Sequence, residues 1–100
     1  MIDKIYRVIL LPRAKRDIYK IWHDISLQSP VAADRFVDKL DRRVLSLIEF
    51  PNRGAPRDDL RKGLRMHVEG NHLIFYRVRG LKVEIVRVVH GAMDLPKVFS

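Results

Sequence analysis

One hundred residues at 47% apolar and 32% charged content suffice for one domain (residues 1–100) with a modest core, and the composition is not that of a disordered tail. Twenty Lys and Arg against twelve Asp and Glu give a net charge of +8, so the expected partner is acidic: nucleic acid, a nucleic-acid machine or an acidic protein. The absence of cysteine excludes disulfides, thiolate metal sites and cysteine nucleophiles, and nothing approaches a membrane span or a signal-peptide core, so a cytoplasmic protein is expected.

Residues 4–11 (KIYRVILL) are rich in β-branched side chains and stop at Pro12, which suits a strand ending where a helix starts. From Pro12, the residues Ala14, Ile18, Ile21, Trp22 and Ile25 recur at helical spacing, with Arg13, Lys15, Arg16, Lys20 and Asp24 outside them. Ser29-Pro30 restarts the helix, with serine as N-cap and proline at the first position. The second helix runs over residues 30–50 with Ala33, Phe36, Val37, Leu40, Val44, Leu47 and Ile48 as its buried stripe, and Pro51 stops it. A connection this short makes the two helices antiparallel neighbours. Residues 52–63 read as the one long irregular segment.

Residues 64–90 read as three antiparallel strands joined at Gly70-Asn71 and Gly80-Leu81. Two-residue turns fix the register: Glu69 opposite His72, Met66 opposite Phe75, Arg65 opposite Tyr76, Arg79 opposite Lys82, Arg77 opposite Glu84 and Tyr76 opposite Ile85. Alternation then sorts the side chains. Leu64, Met66, Val68, Leu73, Phe75, Val86 and Val88, with the Arg77 and Glu84 pair, form the expected core face. Arg65, His67, Ile74, Tyr76, Val78, Val83, Ile85, Arg87 and Val89 form the expected outer, functional face. His90 has core-face parity and joins Arg65 only if a bulge near Val89 resets the alternation. The closing GAMDLPKVFS holds a possible Asp94 cap and a short apolar group, Leu95, Val98 and Phe99, expected as a helical turn or docked tail.

Several stretches together resemble the RelE/ParE superfamily of bacterial toxin-antitoxin toxins: YRVILLPRAKRDIYKIW, SPVAADRFVDKLDRRVLSLIEFP, RGAPRDDL, the GLR at residues 63–65, NHLIFYRV and VEIVRVVHGAMDL. The second helix and the HGA ending are most similar to the ParE branch, although Met93 stands where ParE-like proteins commonly carry arginine. The resemblance implies an α+β fold of strand, two-helix antiparallel hairpin and three-stranded antiparallel sheet, with a short C-terminal tail. It also implies a cognate antitoxin with an extended acidic C-terminal region. For the ParE branch it implies inhibition or poisoning of DNA gyrase; for the RelE branch, ribosome-dependent cleavage of messenger RNA.

A metal-free ribonuclease needs a base, cations and an acid converging on one phosphate, and Arg65, His67, Tyr76, Arg87 and His90 are the residues that could supply them. The plain alternatives are that Arg65 and Arg87 solvate a face or meet antitoxin carboxylates, that His67 and His72 are exposed strand residues, and that Tyr76 keeps a wet hydroxyl. The expectation is therefore a gyrase-binding toxin without chemistry of its own. Its partner contacts are Arg65, His67, Tyr76 and Arg87, with Arg57, Arg61 and Phe99 from the loop and tail. No cofactor and no metal are expected, since the four histidines include no HxxxH pair. Direct nucleic-acid binding is not expected, because charge is its only motive.

Overall fold

A computed structural model describes residues 5–100. The elements are β1 (Arg7–Leu10), α1 (Pro12–Ser26), α2 (Pro30–Glu49), β2 (Ala55–Pro56), β3 (Arg65–Glu69), β4 (His72–Arg79), β5 (Lys82–His90) and α3 (Leu95–Val98). The strands form one mixed sheet in the order β1-β5-β4-β3-β2. Residue 4 of the expected first strand lies outside the described residues. The α+β class stands, but among the described residues the sheet has five strands: β1 joins as a parallel edge beside β5, and the segment 52–63 contributes β2 as the opposite edge. Pro56 is tolerated there because an edge strand has one side without ladder bonds.

Both helices begin as the prolines indicate. Pro12 and Pro30 stand at their starts, and the Ser29 hydroxyl accepts the Ala32 N–H at 3.2 Å. Ala33, Phe36, Leu40 and Leu47 of α2 are buried, on the expected stripe. All six register pairs derived from the two hairpins are present. Gly70 and Gly80 have φ of +57° and +56°, while among the described residues no other residue type has positive φ, the pattern of a type II′ turn with glycine at its first central position.

The assignment of faces is corrected. The helices cover the face expected to be outer, where Ile74, Tyr76, Val83 and Ile85 are fully buried against Ala14, Phe36, Leu40 and Leu47. The opposite face carries a second, smaller cluster of Leu64, Phe75, Val86, Val89 and Phe99, with Leu11, Leu60, Met66, Leu73, Leu95 and Val98 around it. Val68, assigned to the core face, is half exposed. Period-two alternation separates two faces but does not say which of two apolar faces receives the helices.

A β-bulge completes the correction. Phe75 pairs with Arg87 and Tyr76 with Ile85, so Val86 is an extra residue and the alternation along β5 resets there. Val88 thereby joins the helix-facing cluster, and Val89 and Arg87 move to the opposite face, the reverse of the strict alternation, so Arg87 does not share a face with Arg65, His67 and Tyr76 as expected.

Candidate functional site

Arg65 and Tyr76 face each other across β3 and β4 beneath the chain that leaves α2. The Tyr76 hydroxyl, fully buried and not wet, accepts the Gly54 N–H at 2.7 Å and donates to the Pro51 carbonyl at 2.8 Å. The Arg65 guanidinium donates to the carbonyls of Asn52 (3.2 Å) and Gly54 (2.7 Å). Together they hold residues 51–54 against the sheet and satisfy backbone groups that would otherwise be orphaned. Burial raises the Tyr76 pKa above its ordinary value, against the opposing pull of the Gly54 N–H and the Arg65 charge. The hydroxyl therefore keeps the proton it donates to Pro51. Gly54 is fixed by the same contact: a Cβ there would lie 2.6 Å from the Tyr76 ring and hydroxyl.

Arg87 is also engaged internally. Its Nε and Nη2 donate to the two carboxylate oxygens of Asp17 at 2.7 and 3.0 Å, a bidentate pair in which both side chains are less than one-fifth exposed. Asp17 also accepts the Val88 N–H at 3.0 Å. β1 has ended at Leu10, so among the described residues β5 has no strand partner on that side, and Asp17 supplies the acceptor that the strand no longer does.

The histidines differ from their expected exposure. His67 lies on the helix-facing side with its Nε2 buried and unpaired among the described residues. Burial lowers its pKa, the Arg43 and Arg53 charges lower it further, and Glu69 opposes them. His72 packs against Phe36 with ring centroids 5.0 Å apart, and its pKa is lowered by burial first and by His90 second. His90 does share a face with Arg65 because of the bulge, but it pairs with His72 whereas Arg65 pairs with Tyr76. Four residues of β4 separate those positions, roughly 13 Å along the strand. His90 Nδ1 accepts the Ala92 N–H at 3.0 Å, which ties down the turn after β5.

On the opposite face, Arg57 forms a bidentate pair with Asp59 at 3.0 Å for each bond, and a third nitrogen reaches the Met66 sulfur at 3.2 Å. The hydrogen bond to Asp59 raises the Arg57 pKa and lowers that of Asp59. Phe99 is buried edge-on against Phe75, ring centroids 4.7 Å apart, and Arg61 lies over its ring at 5.3 Å. Beside them is a cavity of about 260 Å³ with a floor of Leu11, Val86, Val98 and Phe99 and a rim carrying Arg13, Arg61 and Arg87. This is where three of the seven expected partner contacts come together. Among the described residues no carboxylate pairs with Arg13 or Arg61, so two of the three rim cations remain available to a ligand. Arg13 was not singled out in the sequence; its position in the first turn of the helix after β1 was the available signal.

Among the described residues there is no group of three or more His, Asp or Glu side chains placed to hold a metal ion, and no helix long and apolar enough to cross a membrane.

An order of β1-β5-β4-β3-β2 with two helices on one face and a C-terminal turn on the other is the fold of RelE/ParE toxins. The chain of the chromosomal ParDE toxin-antitoxin system of P. aeruginosa superposes with a TM-score of 0.72 at 23% identity, covering 88% of this chain and 98% of that one. The RelBE2 toxin-antitoxin complex of Mycobacterium tuberculosis gives 0.61 at 25% identity, covering 86% and 98%. Residues 8–95 match the family model described as the ParE toxin of the type II toxin-antitoxin system parDE. Toxin ParE1 of Caulobacter vibrioides is 40% identical over 84 residues, 82% of this chain and 85% of that protein. Toxin ParE1 of Mycobacterium tuberculosis is 30% identical over 93 residues, 91% and 95%. The chain belongs to the ParE toxin family.

Proposed function

We propose that this ParE-type toxin acts in the cytoplasm by binding DNA gyrase, without chemistry of its own, and that a cognate antitoxin holds it inactive. The observation that carries the reading is the commitment of Arg65 and Tyr76 to the loop at residues 51–54, which ties the Arg65 cation to backbone carbonyls and buries the Tyr76 hydroxyl that an RNA-cleaving site would need as its acid. Family membership supports gyrase as the target, as the ParE resemblance implied. An antitoxin partner is supported by the family's description as one half of a type II pair and by the RelBE2 neighbour, whose toxin is in complex with its antitoxin.

The antitoxin's acidic segment fits the cavity beside α3, placing an apolar side chain on Val86, Val98 and Phe99 and carboxylates on Arg13 and Arg61. Arg57 lies on the same flank and Arg87 on the cavity rim, held by Asp17, whereas Arg65 and Tyr76 fix the loop at residues 51–54 on the helix-facing side, where His67 also lies. The test is a supercoiling assay with purified gyrase. Supercoiling should stop, or cleaved DNA accumulate, as toxin is added, and antitoxin should restore activity. An unchanged supercoiling rate at excess toxin overturns the reading, and cutting of ribosome-bound messenger by the same preparation replaces it with the nuclease one. Arg13→Glu with Arg61→Glu should weaken antitoxin binding at least about tenfold, the scale of losing two charge-assisted contacts.

A further inference from the structure

The parallel pairing of β1 with β5 produces a juxtaposition that the hairpin register alone does not. Arg7 of β1 stands opposite Lys82 of β5, and Lys82 stands opposite Arg79 of β4. Three cations therefore lie side by side in a straight row across three adjacent strands. One step along the same face, Ile9, Glu84 and Arg77 form the next row, and Glu84 is taken up by Arg77 at 2.7 Å, with Arg79 at 3.8 Å. Arg7, Arg79 and Lys82 are exposed, and among the described residues no carboxylate lies within 4 Å of Arg7 or Lys82. Like charges directly opposite one another across a ladder repel, and Glu84 relieves only the Arg79 end of the row, at 3.8 Å.

We propose that this row is a contact surface for the phosphodiester backbone of DNA. The row spans two interstrand spacings, about 10 Å, and three successive phosphates of one DNA strand span about 7 Å of duplex axis, a difference that the flexible Arg and Lys stems bridge. Two of the three cations are guanidiniums, which meet phosphate oxygens bidentately. The direction of the row favours nucleic acid over an acidic peptide: a peptide docked on the free edge of β1 runs along the strands and meets only Arg7, whereas a DNA backbone laid across the strands meets all three. Net charge by itself gave no ground for direct nucleic-acid contact; the register supplies a row of three cations across the strands. The inference adds to the gyrase reading without depending on it, because the binding is a property of the toxin and DNA alone.

The test is fluorescence anisotropy of a labelled 20-base-pair duplex with the full chain, between about 50 and 200 mM salt, the range over which phosphate contacts are lost. Replacing Arg7, Arg79 and Lys82 together by glutamine should reduce the magnitude of the log-affinity against log-salt slope by about 2.7, at roughly 0.9 per phosphate contact. The control replaces Arg16, Lys20 and Lys39, exposed on the helices, by glutamine and should leave the slope unchanged. Thermal melts of both variants establish that they fold. Equal effects of the two triple variants overturn the proposal, because the binding then follows net charge. No duplex binding at the lowest salt overturns the proposal; with labelled polyglutamate titrated in parallel, a row variant that loses polyglutamate but keeps DNA overturns it in favour of an acidic peptide.

Discussion

Removing one oxygen from Tyr76 tests whether it is a structural clamp or a partner contact. In Tyr76→Phe the ring still fills its buried site, but the Gly54 N–H and the Pro51 carbonyl lose their partner. A buried polar group left unpaired costs about 1–3 kcal/mol. Gly54 is buried and bears that cost in full, whereas Pro51 is partly accessible and water recovers some of its loss. The expected destabilisation is about 2–3 kcal/mol, which for a chain of this size lowers Tm by roughly 10–20 °C. Urea unfolding followed by the fluorescence of Trp22, the single tryptophan, reads it directly: the midpoint should fall with the m-value unchanged. Gly54→Ala should destabilise through the same contact, since its Cβ would meet the Tyr76 ring at 2.6 Å, and the two effects should not add. A stability loss below about 0.5 kcal/mol together with lost toxicity would refute the clamp and return Tyr76 to the partner surface.

Two further outcomes follow from the paired and buried charges. Asp17→Ala strands the Arg87 guanidinium and the Val88 N–H and should cost about 3 kcal/mol in chemical denaturation; Asp17→Leu with Arg87→Met should recover part of that loss, and equal losses would show that the ion pair itself does not set the cost. His67 and His72 both have folded pKa values below the unfolded one, so the unfolded chain binds protons more readily. Their contribution is fully present above the unfolded value of about 6.5, is lost as pH falls through it, and levels off below the folded values. Melting temperatures should therefore drop from pH 7.5 to pH 5.5, and His67→Gln with His72→Gln should flatten that slope; an unaltered slope would mean that other groups carry it.

Residue spacing alone determined much of the chain: two prolines and a serine set the helix starts, and the glycines at 70 and 80 fixed six strand pairs, because these are local steric and hydrogen-bonding preferences. The superfamily was legible from motifs spread over nearly the whole chain, and the family match over residues 8–95 agrees with it. What tertiary structure decided was which face the helices cover, where β5 bulges and what lies beside β1. Both sheet faces are apolar, so alternation could not choose between them. The extra residue at Val86 leaves no mark in a run of β-branched side chains. Strict alternation puts Arg65, Tyr76 and Arg87 on one polar face, but the bulge sends Arg87 to the other side, and the partners of all three at Asn52, Gly54, Pro51 and Asp17 are brought to them only by long-range packing. The row of Arg7, Lys82 and Arg79 exists for the same reason: two of its members are neighbours in a hairpin, and the third arrives from the other end of the chain when β1 pairs in parallel with β5.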